Sequence, residues 1–158
     1  MTNRVFRIGI ISDTHGLLRE VALSALHGSD LIIHAGDIGS AEIVPALRRI
    51  APVVAVRGNV DKQAWARAFP EREVVEHENQ SLYVLHNISE LDVNPKAAGF
   101  AAVISGHSHK PEIAFKDGVL YFNPGSAGPR RFRLPISAGK IEVGNGELTP
   151  ELIELAAD

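Results

Sequence analysis

Short apolar runs, separated by polar turns, recur along the first half of the chain. Three runs are rich in β-branched residues and have the length of buried strands: Val5–Ile11, Leu31–Ala35 and Val53–Val56. Between the first two, Leu17–Leu26 carries apolar residues at the three-and-four spacing of an amphipathic helix. A second helix is predicted in AEIVPALRRI, at 41–50. This alternation of strands and helices favours parallel strands joined by helical crossovers.

Two residues bear on the start of the second helix. Ser40 is the expected N-cap, because its hydroxyl can accept a hydrogen bond from an N–H group of the first turn. Pro45 sits late for a first-turn proline, so we expect it to delay or to kink this helix.

The second half of the chain changes to β-hairpin patterns. Val74–Glu76 and Ser81–His86 are predicted to pair, and Asp117-Gly118 predicts a tight hairpin turn. Further strands are predicted at 102–105, 113–116, 119–122 and 135–143. A short helix or helical turn is expected at 95–101, whereas the pattern of 147–155 does not distinguish a helix from a strand.

The order of these elements predicts the fold class. Helix-linked strands followed by hairpins indicate an α/β fold in which two β-sheets pack face to face as a β-sandwich, with helices outside. The sequence contains no internal repeat, low-complexity segment or linker. We therefore predict a single domain, 1–158.

Composition narrows the classes of partner. The chain has 158 residues, of which 45% are hydrophobic, and a formal net charge of −3. Since no overall positive field attracts polyanions, we expect no general binding to nucleic acid or to membranes. There is no cysteine, which excludes disulfides and thiolate metal sites. The first residues do not follow a signal-peptide pattern, and no apolar stretch could span a bilayer, so a cytoplasmic location is expected.

Groups that can bind metal ions follow nearly every apolar strand. Asp13 and His15 follow the first strand, and His107 and His109 follow a later one, each pair two residues apart. Residues two apart on an extended segment project to the same side, and the carboxyl ends of parallel strands meet at one edge. The full candidate set is Asp13, His15, Asp37, Asn59, His86, His107 and His109.

This set is too large for one ion and sufficient for two. One carboxylate can bridge two metals about 3.5–4 Å apart, and Asp37, central in the set, is the best candidate. Oxygen and nitrogen ligands without sulfur suit Mn, Fe, Zn, Co or Ni, and two dications would attract an anion such as phosphate. The remaining histidines, His27, His34 and His77, are interpreted as structural, with His34 a hydrogen-bonded residue inside a strand.

Six motifs, in order along the chain, resemble those of the metallophosphoesterase (calcineurin-like) superfamily. They are DTHG, AGDIGS, VRGNVD, LYVLH, GHSHKP and FNPGSAGPR, and they extend from Ile8 to about Arg133. The nearest likeness is to the small, single-domain phosphodiesterases of bacteria and archaea. The resemblance implies a β-sandwich flanked by helices and a binuclear metal site.

The resemblance also implies roles for the candidate ligands. One metal would be held by Asp13, His15, Asp37 and His109. The second would be held by Asp37, Asn59, His86 and His107, with Asp37 bridging. Two divalent ions, manganese before nickel, iron, zinc or cobalt, would then support hydrolysis of a small phosphate ester by a metal-activated hydroxide. No catalytic nucleophile is expected from the protein itself.

The expected substrate contacts are Asn59 and Arg130, the latter in a basic cluster with Arg131 and Arg133. For the cluster, a solvated surface is the alternative interpretation. Two positions depart from the family pattern. His86 is followed by Asn87 rather than glycine, and Val60 stands where many relatives have histidine, so it cannot act as an acid.

Two alternatives to a phosphodiesterase remain open. One is a non-catalytic protein-interaction scaffold of the same fold, like the small retromer subunit, in which part of the metal set is missing. The other is a nucleotide-binding α/β domain that uses HAGDIGS as its phosphate loop, although the G-x-G-x-x-G pattern is absent. For the phosphodiesterase, assembly into a homodimer or a higher homo-oligomer is left open by the sequence.

Overall fold

Two five-stranded sheets pack face to face in the computed structural model, which describes residues 4–155. The ends of the predicted 1–158 domain, 1–3 and 156–158, lie outside the described residues. The strands are β1 Phe6–Ile11, β2 Leu31–His34, β3 Val53–Ala55, β4 Arg72–His77, β5 Gln80–Leu85, β6 Ala102–Ile104, β7 Glu112–Lys116, β8 Val119–Asn123, β9 Ser137–Gly144 and β10 Glu147–Glu154. The helices are α1 Glu20–Leu26 and α2 Ile43–Arg48, with 3₁₀ turns at Ala64–Ala68 and Ile88–Glu90.

Each sheet contains three adjacent parallel strands, which are flanked by antiparallel strands on one side in the first sheet and on both sides in the second. The first sheet has the order β10-β9-β1-β2-β3, and its strands β1, β2 and β3 run parallel, as the alternating first half of the sequence predicts. The second has the order β4-β5-β6-β8-β7, with β5, β6 and β8 parallel. Because parallel strands end at the same edge, the loops after β1, β2, β3, β5 and β6 meet there.

The main core lies between the sheets. Ile8 and Ile10 of β1 point toward the second sheet and meet Phe122 of β8, and all three are buried. Ile11 of β1 faces the other way and packs with Leu26 of α1. A strand that is buried on both faces accounts for the nearly continuous apolar run at the N-terminus of the chain.

The helices cover only the first sheet. On the outer face of the second sheet, Tyr83 and Val103 are instead covered by Leu91 and Phe100, from the irregular segment between β5 and β6. In that segment the predicted helical turn at 95–101 is present, with the N–H of Ala98 donating to the carbonyl of Asn94 at 2.9 Å. Within residues 4–155 no helix is long and apolar enough to cross a membrane.

The second helix corrects one prediction and confirms another. α2 begins at Ile43, and its N-cap is Glu42, whose side chain makes no capping hydrogen bond; the prediction of Ser40 as the N-cap is therefore wrong. The delay expected from Pro45 is observed. Pro45 occupies the first turn, where an N–H group has no partner within the helix, so it fits without a lost hydrogen bond.

The ambiguous segment 147–155 forms a strand. β10 pairs with β9 in antiparallel register from Glu147↔Gly144 to Glu154↔Ser137 and is the edge of its sheet. Pro150 is tolerated because an edge strand leaves alternate N–H groups unpaired. The hydrogen-bonded pairing with β9, a tertiary contact, therefore makes this segment a strand, which its local sequence pattern could not show.

Candidate metal centre

Six of the seven predicted ligands come together beyond the carboxyl ends of the parallel strands. They form two groups in which the ligand atoms lie within 4.8 Å of one another: Asp13, His15 and His109 in the first, and Asp37, His86 and His107 in the second. The first group joins the loops after β1 and β6, and the second joins those after β2, β5 and β6. The D-x-H pair thus lies within one group, whereas the H-x-H pair is divided between the two.

Asp37 faces a histidine of each group. Its Oδ2 lies 3.2 Å from Nε2 of His86 and 3.6 Å from Nε2 of His15. In the first group, Oδ1 of Asp13 lies 3.4 Å from Nε2 of His109. Nε2 of His15 and Nε2 of His109 approach to 3.3 Å. The two groups therefore form one continuous centre, with Asp37 at the junction.

Each carboxylate is fixed through one oxygen and presents the other. Oδ2 of Asp13 accepts hydrogen bonds from the hydroxyl of Ser12 at 2.7 Å and from the N–H of His107 at 3.0 Å. Its Oδ1 is buried and has no hydrogen-bond partner. In Asp37, Oδ1 accepts the N–H of Val60 at 3.1 Å, while Oδ2 faces the histidines. Such an arrangement leaves one oxygen of each aspartate available to a ligand.

His86 is oriented by the backbone. Its Nδ1–H donates to the carbonyl of Ala35 at 2.8 Å, which directs Nε2 toward Asp37. Burial alone would lower the pKa of His86, but the contact with Asp37 and the charge of Asp13 raise it above its ordinary value. Burial alone would raise the pKa of Asp37, but the His86 contact and the Val60 N–H lower it to about 2.

The backbone at the centre is strained. Five candidate ligands have left-handed backbone conformations: Asp13, His15, Asp37, His107 and His109, with φ of 56°, 48°, 55°, 71° and 63°. For residues with a side chain this conformation costs roughly 1–2 kcal/mol each, and it persists where the surroundings impose it. Concentration of these outliers on one cluster indicates that its geometry serves a function.

Two glycines allow the loops to approach the carboxylates. A Cβ atom at Gly58 would overlap the carboxylate of Asp37, and one at Gly106 would overlap the hydroxyl of Ser12 and crowd Oδ2 of Asp13. The glycines that precede Asn59 and His107 in the sequence are thus required by close packing of the backbone against the site.

Asp61 supports the centre in a way that the sequence did not indicate. It is buried, and its carboxylate accepts the N–H groups of Ile38 and Gly39, both at 3.0 Å, and of Gly58, at 2.8 Å. It ties the loop after β2 to the loop after β3. The only signal in the sequence is an aspartate two residues after Asn59, which is too common in turns to be diagnostic.

His34 is the hydrogen-bonded core residue that the sequence predicts. Its Nδ1 accepts the N–H of Gly36 at 3.1 Å, so its Nε2–H donates to the hydroxyl of Thr14 at 3.0 Å. That hydroxyl in turn donates to the carbonyl of Ile38 at 2.8 Å. Complete burial lowers the pKa of His34 to about 4. A neutral imidazole therefore connects the loops that carry Asp13 and Asp37.

The FNPGSAG motif also acts on the site indirectly. The hydroxyl of Ser126 donates to the carbonyl of Asp13 at 3.0 Å, and Nδ2 of Asn123 donates to the carbonyl of Gly106 at 2.9 Å. Both side chains are buried. They hold the backbone at Asp13 and at Gly106, which precedes His107. They do not contact the carboxylate oxygens that are available to a ligand.

The predicted substrate contacts lie outside this cluster. Asn59 is exposed and lines a cleft beside His86. Arg130 is exposed in the loop after β8, and within residues 4–155 no hydrogen bond or ion pair holds it. His77, which is interpreted as structural from the sequence, is the last residue of β4, and its ring stacks on Phe6 with 3.8 Å between the ring centroids.

Comparison with known proteins agrees with this fold. A family model described as a calcineurin-like phosphoesterase superfamily domain matches residues 6–146. A probable metallophosphoesterase of Methanothermobacter thermautotrophicus is 30% identical over 162 residues, which cover 95% of this chain and 93% of that protein.

Solved structures with lower sequence identity share the fold. The structure of an archaeal phosphodiesterase has a TM-score of 0.77 at 23% identity and covers 94% of this chain and 100% of that one. The crystal structure of Vps29 from Chaetomium thermophilum has a TM-score of 0.76 at 20% identity, covering 95% of this chain and 97% of that one. Catalytic and sorting proteins thus have the same architecture.

Proposed function

Because this chain belongs to the calcineurin-like phosphoesterase superfamily, we propose that it is a divalent-metal-dependent phosphodiesterase with a binuclear site. The observation that carries the proposal is the position of Asp37, whose Oδ2 faces His15 of one ligand group and His86 of the other. A single carboxylate between two ligand groups is what a bridged pair of ions requires.

The residues of the centre fit divalent ions. Within residues 4–155, four buried side-chain polar atoms lack a hydrogen-bond partner, and three of these belong to candidate ligands: Oδ1 of Asp13, Nε2 of His86 and Nδ1 of His109. Buried polar groups are nearly always paired, so Oδ1 of Asp13 and Nε2 of His86, which face each other at 3.9 Å without a hydrogen-bond partner, point to a missing partner with positive charge. The donors are oxygen and nitrogen, which suit Mn, Fe, Zn, Co or Ni.

We assign the ligands as two overlapping sets. Asp13, His15, Asp37 and His109 would hold one ion, and Asp37, Asn59, His86 and His107 the other. Manganese is the first choice for both positions. When bound, such ions activate water as the nucleophile and neutralise charge on the phosphoryl oxygens.

The chain contributes orientation and a fixed arrangement of charge. The Ala35 carbonyl sets the tautomer of His86, and backbone N–H groups fix one oxygen of each aspartate. Asp61 and His34 hold the loops that bring these groups together. Since the ligands are positioned before substrate binds, little reorganisation is needed during reaction. No side chain has to attack the phosphorus atom.

The proposal is tested with two substrates that share a leaving group. Manganese-loaded protein should hydrolyse bis(p-nitrophenyl) phosphate faster than p-nitrophenyl phosphate, a monoester. Asp13→Asn, which removes the charge behind the unpartnered Oδ1, should lower the diester rate by about 100-fold or more. Asp117→Asn, in an exposed hairpin turn, is the matched control. A preference for the monoester would contradict phosphodiesterase activity.

The alternative function is a non-catalytic protein-interaction scaffold. The shared fold of the Chaetomium thermophilum Vps29 structure keeps this alternative open. A scaffold predicts metal-loaded protein with no turnover of either ester, and with no difference between Asp13→Asn and Asp117→Asn. The same experiment therefore separates the two functions.

A further inference from the structure

We propose that a polar cleft beside His86 binds a small polyhydroxylated group, of glycerol or pentose size, esterified to the phosphate of the substrate. The inference rests on the proposed phosphodiesterase function and narrows its substrate class. The cleft has a volume of about 150 Å³, and Asn59 and His86 are part of its wall. A diester held at the adjacent centre would therefore place one of its two ester groups in the cleft.

The cleft is built where the sequence departs from the family pattern. Asn87, in place of glycine, accepts the N–H of Ser89 at 3.0 Å and its hydroxyl at 2.8 Å. These bonds cap the 3₁₀ turn Ile88–Glu90, so that Asn87 and Glu90 both line the cleft. The Glu90 carbonyl accepts a hydrogen bond from Nη2 of Arg72 at 3.1 Å, which connects this turn to β4.

Two guanidinium groups are already held in position in the cleft wall. Nη1 of Arg57 donates to the carbonyl of Phe69 at 3.2 Å, and its Nη2 lies 3.5 Å from Oε1 of Glu71. Arg72 is held by the Glu90 carbonyl. A guanidinium has five N–H donors, so each arginine retains donors for a ligand. Because both arginine side chains are already held in place, ligand binding costs little additional side-chain conformational entropy.

The charges of the wall are balanced, and this selects the ligand. Arg57 and Arg72 contribute two positive charges, and Glu71 and Glu90 contribute two negative ones. A second phosphate group would be repelled by the carboxylates as well as attracted by the arginines, so it would gain little binding energy. A hydroxyl group, in contrast, can donate to a carboxylate and accept from a guanidinium at the same time, and neighbouring hydroxyls can use adjacent pairs.

Size and polarity narrow the group further. The cleft, with a volume of about 150 Å³, has room for several water molecules and therefore for a small polyol such as glycerol or a pentose. Leu85 is the only apolar side chain among the lining residues. An alkyl or aryl group would therefore desolvate charged groups without replacing their hydrogen bonds.

The test uses p-nitrophenyl phosphodiesters that differ only in the retained group: glyceryl, propyl, 5-ribosyl and 5-(2-deoxyribosyl). In each, water adds to phosphorus and loses a proton to solvent, the bond to p-nitrophenolate breaks, and the retained group stays on the phosphate. Manganese-loaded protein should favour the glyceryl over the propyl ester by about tenfold or more in kcat/KM. A higher kcat/KM for the ribosyl than for the glyceryl ester would identify a pentose as the better ligand, and loss of that advantage in the 2-deoxyribosyl ester would assign it to the vicinal diol.

Variants test the wall itself. Glu71→Gln and Arg72→Gln should each reduce the glyceryl-to-propyl ratio several-fold, whereas Arg48→Gln, exposed on α2, should keep it. Taking the ratio within each variant cancels effects on the shared chemistry. Glu71 is 72% exposed in its side chain, so its isosteric replacement does not threaten folding.

The outcomes separate this inference from the proposed function. A glyceryl-to-propyl ratio near one, with bis(p-nitrophenyl) phosphate still hydrolysed, overturns the subsite and leaves the phosphodiesterase. If no ester is hydrolysed, the phosphodiesterase proposal fails, and calorimetry with glyceryl phosphate and propyl phosphate decides the subsite. Tighter binding of glyceryl phosphate to manganese-loaded protein supports it, and equal affinities contradict it.

Discussion

Asp61 fixes the loop that carries Asp37. Its carboxylate accepts the N–H of Ile38, the residue after Asp37, at 3.0 Å and that of Gly58, in the next loop, at 2.8 Å. Asp61 directly follows Val60, which cannot act as a proton donor, but both carboxylate oxygens of Asp61 already accept backbone N–H groups. It is a positioning residue rather than an acid.

Removing that carboxylate should destabilise the protein. Asp61→Ala leaves the N–H groups of Ile38, Gly39 and Gly58 without an acceptor, and we expect a loss of about 3 kcal/mol in the free energy of unfolding. Urea denaturation measures this loss. Glu42→Ala, an exposed residue without a capping hydrogen bond, should change stability by less than about 0.5 kcal/mol. Similar values for the two variants would show that the Asp61 hydrogen bonds contribute little.

The sequence identifies the candidate ligands of the centre better than the residues that hold the ligand loops in place. Asp13 and His109 could be placed together because each follows a strand of a parallel sheet, and strand ends meet. The role of Asp61 could not be predicted, because two of the N–H groups that it accepts, those of Ile38 and Gly39, lie more than 20 residues away in the chain. His34 was predicted to be hydrogen-bonded, but its partner, the hydroxyl of Thr14, lies 20 residues away and could not be named. Hydrogen bonds of this kind depend on loop geometry, which local patterns do not encode.

The fold likewise has features that the sequence predicts and features that only the surrounding structure determines. Periodicity located the strands of both sheets, since burial on one or both faces leaves a direct pattern of apolar residues. It failed at the start of α2 and left β10 open, where capping and edge pairing decide. Left-handed φ at non-glycine residues such as Asp37 was equally inaccessible, because the surrounding structure rather than the residue type imposes it.

Metal removal should abolish activity and reduce stability. Prolonged chelation should stop hydrolysis of bis(p-nitrophenyl) phosphate, and Mn²⁺ or Ni²⁺ should restore it, because water alone is too weak a nucleophile at neutral pH. Elemental analysis should find two ions per chain, and reloading should raise the melting temperature. Activity that survives complete removal of metal would exclude the binuclear mechanism.

Asp37 should be more sensitive to substitution than His86. Asp37→Asn removes the charge that faces both ligand groups, whereas His86→Ala removes a ligand from one. We expect the asparagine variant to lose activity by about 100-fold or more and to bind fewer ions, with a smaller loss for His86→Ala. Arg131→Ala, an exposed control, should have little effect. Full metal content and turnover in Asp37→Asn would show that another group is the bridge.

His34 should make stability depend on pH in mildly acidic solution. Its pKa is lowered from 6.5 to about 4 in the folded protein, so between these values the unfolded chain binds a proton that the folded chain does not. Stability from this residue is complete above pH 6.5 and is lost as the pH falls toward 4, by up to about 1.4 kcal/mol per pH unit. Urea unfolding of chelated protein at several pH values measures the slope.

The role of His34 is tested with a variant that cannot titrate but still offers an acceptor to the Gly36 N–H. In His34→Asn, Oδ1 can replace Nδ1 as the acceptor for the Gly36 N–H, and the slope between pH 4.5 and 6.5 should become shallower. His27→Asn, exposed after α1, should keep the native slope. Asp37, with its pKa lowered to about 2, is ionised in both states through most of this range. An unchanged slope in His34→Asn would assign the acid sensitivity to other groups.

Val60 should make the enzyme dependent on good leaving groups. An alkoxide needs a proton to depart near neutral pH, and a positioned general acid typically contributes ~10²–10⁴-fold in rate. Valine has no proton to give, and Asp61 is occupied by backbone N–H groups. We therefore expect aryl diesters to react much faster than alkyl diesters. A plot of log rate against leaving-group pKa should have a steep negative slope.

A histidine at this position should flatten that plot. Val60 is 44% exposed, and its N–H donates to Oδ1 of Asp37, so its side chain can be exchanged without disturbing the core. Val60→His should accelerate alkyl diesters more than aryl diesters, because only poor leaving groups require protonation. Val60→Gln, of similar length but without a group that titrates near neutrality, is the control. A native slope near zero, with chemistry shown to be rate-limiting, would mean that another residue already supplies the proton, and His86 would be the next variant to measure.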